Sequence, residues 1–256
     1  MSIKFVPLLS TGCLFTLPVK DVAYIAKEAG FKGLEFILND PAWLDKLEDL
    51  KSISQILPIY SIHAPFRDYA LWGGHLPAWE KTIALARQLP SVQNITLHPP
   101  SFKFGQIGLF WWYVKTKNLP QDLNSPVSLS IENMPVQQTH FLTSKEIKSY
   151  LKQCKTKQVK FTFDVCHFGV SGGDILQVFE VMDWNVVSNI HFSDIRGIKE
   201  HLFPGQGELP LQKFINLLKN TQFDGFLTLE VGPASLPDKT EDIISKLKGF
   251  LAEYLS

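Results

Sequence analysis

VKFTFDVCHFGVSGGD, residues 159–174, opens with a short apolar run and stops it on an acid, Asp164. A histidine, His167, follows three residues later, and then a cluster of glycines. The run 159–164 has the length and composition of a buried strand. A carboxylate on its last residue and an imidazole just beyond set two potential metal ligands at one strand end.

The pattern repeats in both directions along the chain. PIYSIHA (58–64) carries His63 near its end, QNITLH (93–98) ends on His98, and VSLSIEN (127–133) carries Glu132. Further on, VVSNIHFSD (186–194) carries His191 and GFLTLEV (225–231) carries Glu230. Two more apolar runs, 3–9 and 33–38, read as strands without such a ligand at the tip. Between these eight runs lie amphipathic stretches that predict helices at Val19–Ala29, 41–55, 76–89, 105–117, 144–154, 173–182, 211–220 and 238–254. Pro18 before the first of them and Gly30 after it suit a helix start and stop. Eight strand-then-helix units with no linker or low-complexity break predict an α/β fold, a single (β/α)8 TIM barrel over 1–256. In a closed barrel the strand tips converge on one mouth, so these distant ligands meet there.

Composition narrows the classes. The 256 residues carry 25 Lys and Arg against 25 Asp and Glu, a formal net charge of zero. No basic excess marks a nucleic-acid surface and no polybasic tract marks a membrane partner. Three cysteines, Cys13, Cys154 and Cys166, form no C-x-x-C pair, which fits reduced thiols in a cytoplasmic protein. The N-terminal apolar run is short and broken by Pro7, Ser10 and Thr11, so it reads as a strand and not a signal peptide.

A lone histidine at a strand end is most often a hydrogen-bonded structural residue, and a lone Asp, as at 164 or 194, can cap a helix. Gathered at one mouth, a ring of imidazoles and carboxylates would be desolvated without compensation, at several kcal/mol per unpaired charge. A divalent cation removes that cost, and mixed N and O donors suit Zn, Mn, Co or Fe better than Ca or Mg. Other residues carry weaker signals. Cys166 is expected to pack. Glu35 reads either as a mouth residue or as a hydrogen-bond acceptor behind a ligand. Trp72, Trp111 and Trp112 lie near mouth-side loops, where packing competes with stacking on a ligand. His75 and His140 read as surface or structural, and the glycines of 169–174 lack the lysine of a phosphate-binding loop.

With these segments in view, the sequence resembles the xylose isomerase-like TIM-barrel superfamily. This includes sugar and sugar-phosphate isomerases and epimerases and the endonuclease IV-type enzymes. The segments that carry the resemblance are GFKGLEF, SIHAPF, LHPPS, LSIENMP, FTFDVCHFGVSGGD, IHFSD, HLFPGQGELP and GFLTLEV. In the isomerase branch it implies one metal on Glu132, Asp164, His191 and Glu230. It also implies a substrate contact from His167, and proton transfer by Glu132 and Glu230 from either side of the substrate. In the endonuclease branch it implies that His63, His98, Glu132, Asp164, His167, His191, His201 and Glu230 all bind metal, in a three-metal cluster. That branch has Asp two residues before the histidine matching His201; here the residue is Lys199, and Glu200, offset by one, is expected to point elsewhere.

The expectation is therefore a metal-dependent sugar or sugar-phosphate isomerase or epimerase with one to three divalent ions. Glu132 and Glu230 are its catalytic pair, and His167, Arg196, Lys199 and Trp72 its substrate contacts. Its partner would be a small carbohydrate, with no nucleic acid or membrane and with homo-oligomerisation left open. The alternatives are metal-dependent phosphodiester hydrolysis of abasic DNA and a non-enzymatic barrel plugged by metal. A DNA enzyme must neutralise several phosphates, and the mouth-side loops offer only Arg67, Lys103, Arg196 and Lys199. The intact glutamate pair and D-x-x-H motif speak against the plug.

Overall fold

The computed structural model describes residues 4–99, 127–135 and 144–256. Eight parallel strands close into a barrel: β1 (Val6–Ser10), β2 (Gly33–Ile37), β3 (Ile59–His63), β4 (Asn94–Leu97), β5 (Ser128–Glu132), β6 (Lys160–Asp164), β7 (Val187–Phe192) and, after a hairpin, β10 (Phe226–Leu229). The hairpin consists of β8 (Asp194–Arg196) and β9 (Lys199–Leu202), paired antiparallel outside the barrel. Closure is made by β1 against β10, with Val6 beside Phe226 and Leu9 beside Leu229.

Around the barrel run α1 (Val19–Ala29), α2 (Leu47–Ile56), α3 (Tyr69–Trp72), α4 (His75–Ala86), α5 (Ser144–Lys157), α6 (Val165–Val170), α7 (Leu211–Leu218) and α8 (Thr240–Leu255). α1 ends on Gly30, whose φ of 104° lets its N–H reach back to the Ala26 and Lys27 carbonyls. Strand residues that face outward, among them Ile131, Phe161, Phe163, Ile190, Phe192 and Leu229, are buried under the helices. Phe163 and Phe192 each pack a ring against Phe214 of α7.

The barrel interior is different. Where such barrels usually carry Val, Ile and Leu, this one is filled by Ser61, Asn94, Thr96, Ser130, Thr162, Asn189 and Thr228, all fully buried. They satisfy one another. Ser130 Oγ lies 2.6 Å from Thr162 Oγ1, Asn94 Nδ2 donates to Ser61 Oγ at 3.0 Å, and Thr228 Oγ1 donates to Asn189 Oδ1 at 2.8 Å. A buried polar layer is stable only when paired in this way.

Several helix expectations need correction. The sixth helix does not lie at 173–182. Asp164 Oδ1 accepts the His167 N–H at 2.6 Å, which starts α6 directly at the strand end. Gly172, with a φ of 82°, then turns the chain, and 173–182 holds only the 3-10 turn Gln177–Glu180. The stretch 41–55 splits into a 3-10 turn, Pro41–Asp45, and α2. Asp194 begins a hairpin strand and caps no helix. The helix expected at 105–117, with Lys103, Trp111, Trp112 and His140, lies outside the described residues.

Candidate metal centre

Each barrel strand from β3 onward carries a small polar residue and, two positions later, a candidate ligand: Ser61 and His63, Thr96 and His98, Ser130 and Glu132, Thr162 and Asp164, Asn189 and His191, Thr228 and Glu230. Side chains two apart on a strand share a face. The polar layer therefore points inward, and the next layer up, at the mouth, is the ligand set. Register places Asp164 beside His191, whereas Glu132 lies beside Thr162 and His191 beside Thr228, so the ligand ring climbs in steps around the mouth.

Glu132 is the hub. One carboxylate oxygen lies 3.2 Å from His63 Nε2 and 3.0 Å from His98 Nε2; the other lies 3.2 Å from both His167 Nδ1 and His191 Nδ1. His191 Nδ1 is also 2.7 Å from Glu230 Oε2 and 3.8 Å from Asp164 Oδ2. His201, from β9, sets its ring edge-on to His167 at 5.1 Å. All eight expected ligands thus gather in one place. Asn133, missed in the sequence, braces two strands there: its amide donates to the Asp164 carbonyl at 2.9 Å and its oxygen accepts the Asp164 N–H at 2.8 Å.

The electrostatics are those of a desolvated charge cluster. Burial alone would raise the Glu132 carboxyl, but His191 and His98 outweigh it and hold it well below the usual carboxylate range. Burial likewise opposes charge on His167, yet Asp164 and Glu132 raise it to about 10. For His191, burial is outweighed by Glu230, Glu35 and Glu132, and the imidazole is pushed well up. Asp164 is raised, first by burial.

Glu35 behaves as an acceptor behind a ligand. Its Oε2 receives Ser61 Oγ at 2.7 Å, Asn189 Nδ2 at 2.8 Å and Thr96 Oγ1 at 3.2 Å. Its Oε1 lies 2.9 Å from His191 Nε2, and neither of those two atoms has a hydrogen-bond partner among the described residues. A third buried orphan is Asp164 Oδ2. Glu132, Asp164, His191 and Glu230 can bring one ligand atom each to within 4.8 Å of one another. An orphaned carboxylate oxygen in a mixed N and O set of this size fits a divalent transition metal.

Three expectations change. Glu200 does not point away: it forms a group with His167 and His201 in which ligand atoms lie within 4.8 Å of one another. His201 itself has a φ of 54°, a departure from extended geometry within β9. Trp72 is no substrate contact, since its side chain is fully buried in the core against the barrel. Arg196 and Lys199 are exposed on the hairpin, paired across it, and do not line the cavity at the mouth.

That cavity, of about 490 Å³, opens beside Glu230 and His201. Its other walls come from β2 and the segments after β1 and β2, the two strands without ligands at their tips: Phe15, Leu17, Val19, Phe36 and Trp43, joined by Phe66, Arg67, Val231 and Pro233. Sequence reasoning passed over this side because it looked for polar tips.

A family model described as xylose isomerase-like TIM barrel matches residues 23–254, and the chain belongs to this family. An uncharacterised protein of Mycobacterium leprae, ML2432, is 24% identical over 91% of each chain. Among solved structures, the IolI protein with a bound zinc atom is 18% identical over 98% of each chain, with a TM-score of 0.78. The 3-keto-D-glucoside 4-epimerase YcjR of E. coli is 15% identical over 97% of this chain and 98% of that one, with a TM-score of 0.72. An L-ribulose 3-epimerase is 14% identical over 98% and 94%, with a TM-score of 0.74. These likenesses establish the shared fold.

Proposed function

We propose that the protein is a metal-dependent isomerase or epimerase of a small carbohydrate-derived hydroxy-carbonyl compound. The observation that carries this is the pair Glu132 and Glu230, which flank His191 Nδ1 at 3.2 and 2.7 Å. Glu132, Asp164, His191 and Glu230 would hold a divalent cation, which supplies polarisation of the substrate carbonyl and the neighbouring hydroxyl. The two carboxylates are held below the usual range, so each is a base at neutral pH. One glutamate removes the proton from the carbon between carbonyl and hydroxyl. The acid so formed can give that proton to the adjacent carbon while the hydroxyl proton passes to the former carbonyl oxygen, moving the carbonyl; for inversion the other glutamate first takes a proton from solvent and gives it to the opposite face. His167, whose Nδ1 lies 3.0 Å from the Asn133 carbonyl, would hold a substrate oxygen. The epimerase neighbours and the zinc of IolI support the reading. Three buried cysteines outside any disulfide fit a cytoplasmic setting.

A second reading has its own support. His63, His98 and Glu132 form one further ligand group, and His167, Glu200 and His201 another, which suits two additional ions and phosphodiester hydrolysis. The test is turnover by Zn- or Mn-loaded protein on a panel of ketoses, 3-keto-glycosides and an abasic duplex. Proton exchange at a carbon next to a carbonyl, followed by NMR in D2O, is expected. Strand cleavage without such exchange would promote the second reading.

A further inference from the structure

We propose that the substrate carries an apolar, ring-sized substituent on its non-reacting side, seated in the cavity lobe between the segments that follow β1 and β2. This rests on the chemistry proposed at Glu230, whose carboxylate forms the lobe's inner end together with His201.

The lobe is mostly apolar, with Arg67 among its lining residues and set over the Phe66 ring at 5.7 Å. Phe36 and Trp43 meet edge to face at 5.2 Å and form one wall. Phe66 closes another, packed edge-on against His63 at 5.3 Å, so the aromatic surface reaches the ligand cluster itself. Three polar side chains in the wall each give an oxygen to the backbone. Thr11 Oγ1 accepts the Ile37 N–H at 2.9 Å, Asn39 Oδ1 accepts the Phe66 N–H at 3.3 Å, and Asp40 Oδ1 accepts the Ala42 N–H at 2.9 Å. A bare ketose placed here would turn hydroxyls toward rings that cannot pair with them.

Exposure points the same way independently. Phe15 is 68% exposed and Phe66 37%, two of the few large hydrophobic side chains left open among the described residues, and both line this cavity. Exposed rings gathered on a concave surface beside a charged site are the usual signature of a ligand seat. The occupant that answers both observations is a carbonyl-bearing sugar or polyol joined to an aryl or alicyclic group.

The test uses two hydroxamates that share one metal-chelating head, acetohydroxamate and benzohydroxamate, titrated calorimetrically into Mn-loaded protein. Benzohydroxamate is expected to bind about 10- to 100-fold tighter, the gain from burying one ring. Phe15→Ala, which removes an exposed ring and spares the core, and Trp43→Ala should each shrink the ratio of the two dissociation constants to about threefold or less. Equal dissociation constants in the native protein, or a ratio unchanged in both variants, would overturn the proposal. Failure of both hydroxamates to bind would count against the metal reading instead. The lobe is then judged in metal-free protein by saturation transfer to benzyl alcohol, expected in the native chain and lost in Trp43→Ala. Its absence from the native chain also overturns the proposal.

Discussion

Glu35 faces two incompatible demands once its charge is removed. Three donors converge on Oε2, while Oε1 meets His191 Nε2 at 2.9 Å. A negative oxygen that close to Nε2 favours the His191 tautomer with its proton there, which leaves Nδ1 free for a cation. In Glu35→Gln the amide oxygen is drawn to the three donors and the NH2 is left facing Nε2. That favours the tautomer with Nδ1 protonated. The expected outcome is a retained fold and a 10- to 100-fold weaker metal affinity, on the order found for such outer partners, measured by chelator competition. Unchanged affinity would show that His191 is oriented by something else. Glu230→Gln is the converse case: shape and one oxygen are kept, but an amide cannot accept a proton. Turnover should vanish, and native-level turnover would assign the chemistry to other residues. His75, which hydrogen-bonds the backbone of His98, offers a prediction at the edge of the cluster. It stacks on Tyr69 at 4.2 Å, and burial pulls its pKa down to about 4. Between the unfolded value near 6.5 and about 4 the unfolded chain binds more protons, so stability falls as pH drops through that window and levels below it. His75→Phe should flatten the slope of denaturant midpoint against pH between 6.5 and 4.5.

At the level of elements, the hairpin β8–β9 and the loop behind it set His201. Asp194 is buried and its carboxylate accepts four backbone N–H groups, from Ile195, Gly205, Gly207 and Leu209, at 2.9 to 3.0 Å. Gly207 sits so close to Asp194 and the Ile195 carbonyl that a methyl group there has no room. Gly207→Ala should therefore displace the loop, lower the melting temperature and reduce bound metal per chain, read by calorimetry and elemental analysis. A variant with native stability and metal content would refute this account of the loop. Six of the eight barrel strands were readable because their tips interrupt apolar runs with His, Glu or Asp, and the first two from their apolar runs alone. The hairpin was not, since Asp194–Leu202 is short, polar and held by contacts from Gly205 to Leu209 that periodicity does not encode. The helix expected at 173–182 failed for a similar reason: one side-chain cap, Asp164 to His167, moved its start to the strand end. The inward pairs, S-x-H, T-x-H, S-x-E, T-x-D, N-x-H and T-x-E, were present in the sequence and would have fixed which face of each strand looks inward.

For the whole molecule, a cation bound only by the closed barrel must stabilise it. Metal at a hundredfold excess over its dissociation constant adds about 2.7 kcal/mol, which for a chain of this size raises the melting temperature by roughly 5–10 °C. Chelator-stripped protein whose melting temperature ignores added Zn and Mn would count against the metal centre. Zero net charge and a cavity whose described lining residues include a single Lys or Arg, Arg67, predict no sub-micromolar binding to an abasic duplex at physiological salt. A fluorescence anisotropy titration checks this directly. Barrel, mouth and ligand ring were legible because they follow from periodicity and strand-end chemistry. The aromatic lobe was not, because its rings come from separate connecting segments and only closure assembles them.

The three buried thiols make the barrel its own clock. Cys13 bridges the seam between the first and last strands, its Sγ donating to the Leu229 carbonyl and accepting the Val231 N–H. Cys154 lies on α5, and Cys166 sits beneath His201, accepting its N–H at 3.2 Å. Burial pushes Cys13 and Cys154 up to about 12 and Cys166 higher still, so none is a reactive thiolate while the structure is shut. Alkylation must wait for an opening event, and each cysteine then times a different one. Pulse labelling followed by peptide mass analysis would separate parting of the seam, departure of a helix and lifting of the hairpin. Such a record would show which part of the circle gives way first.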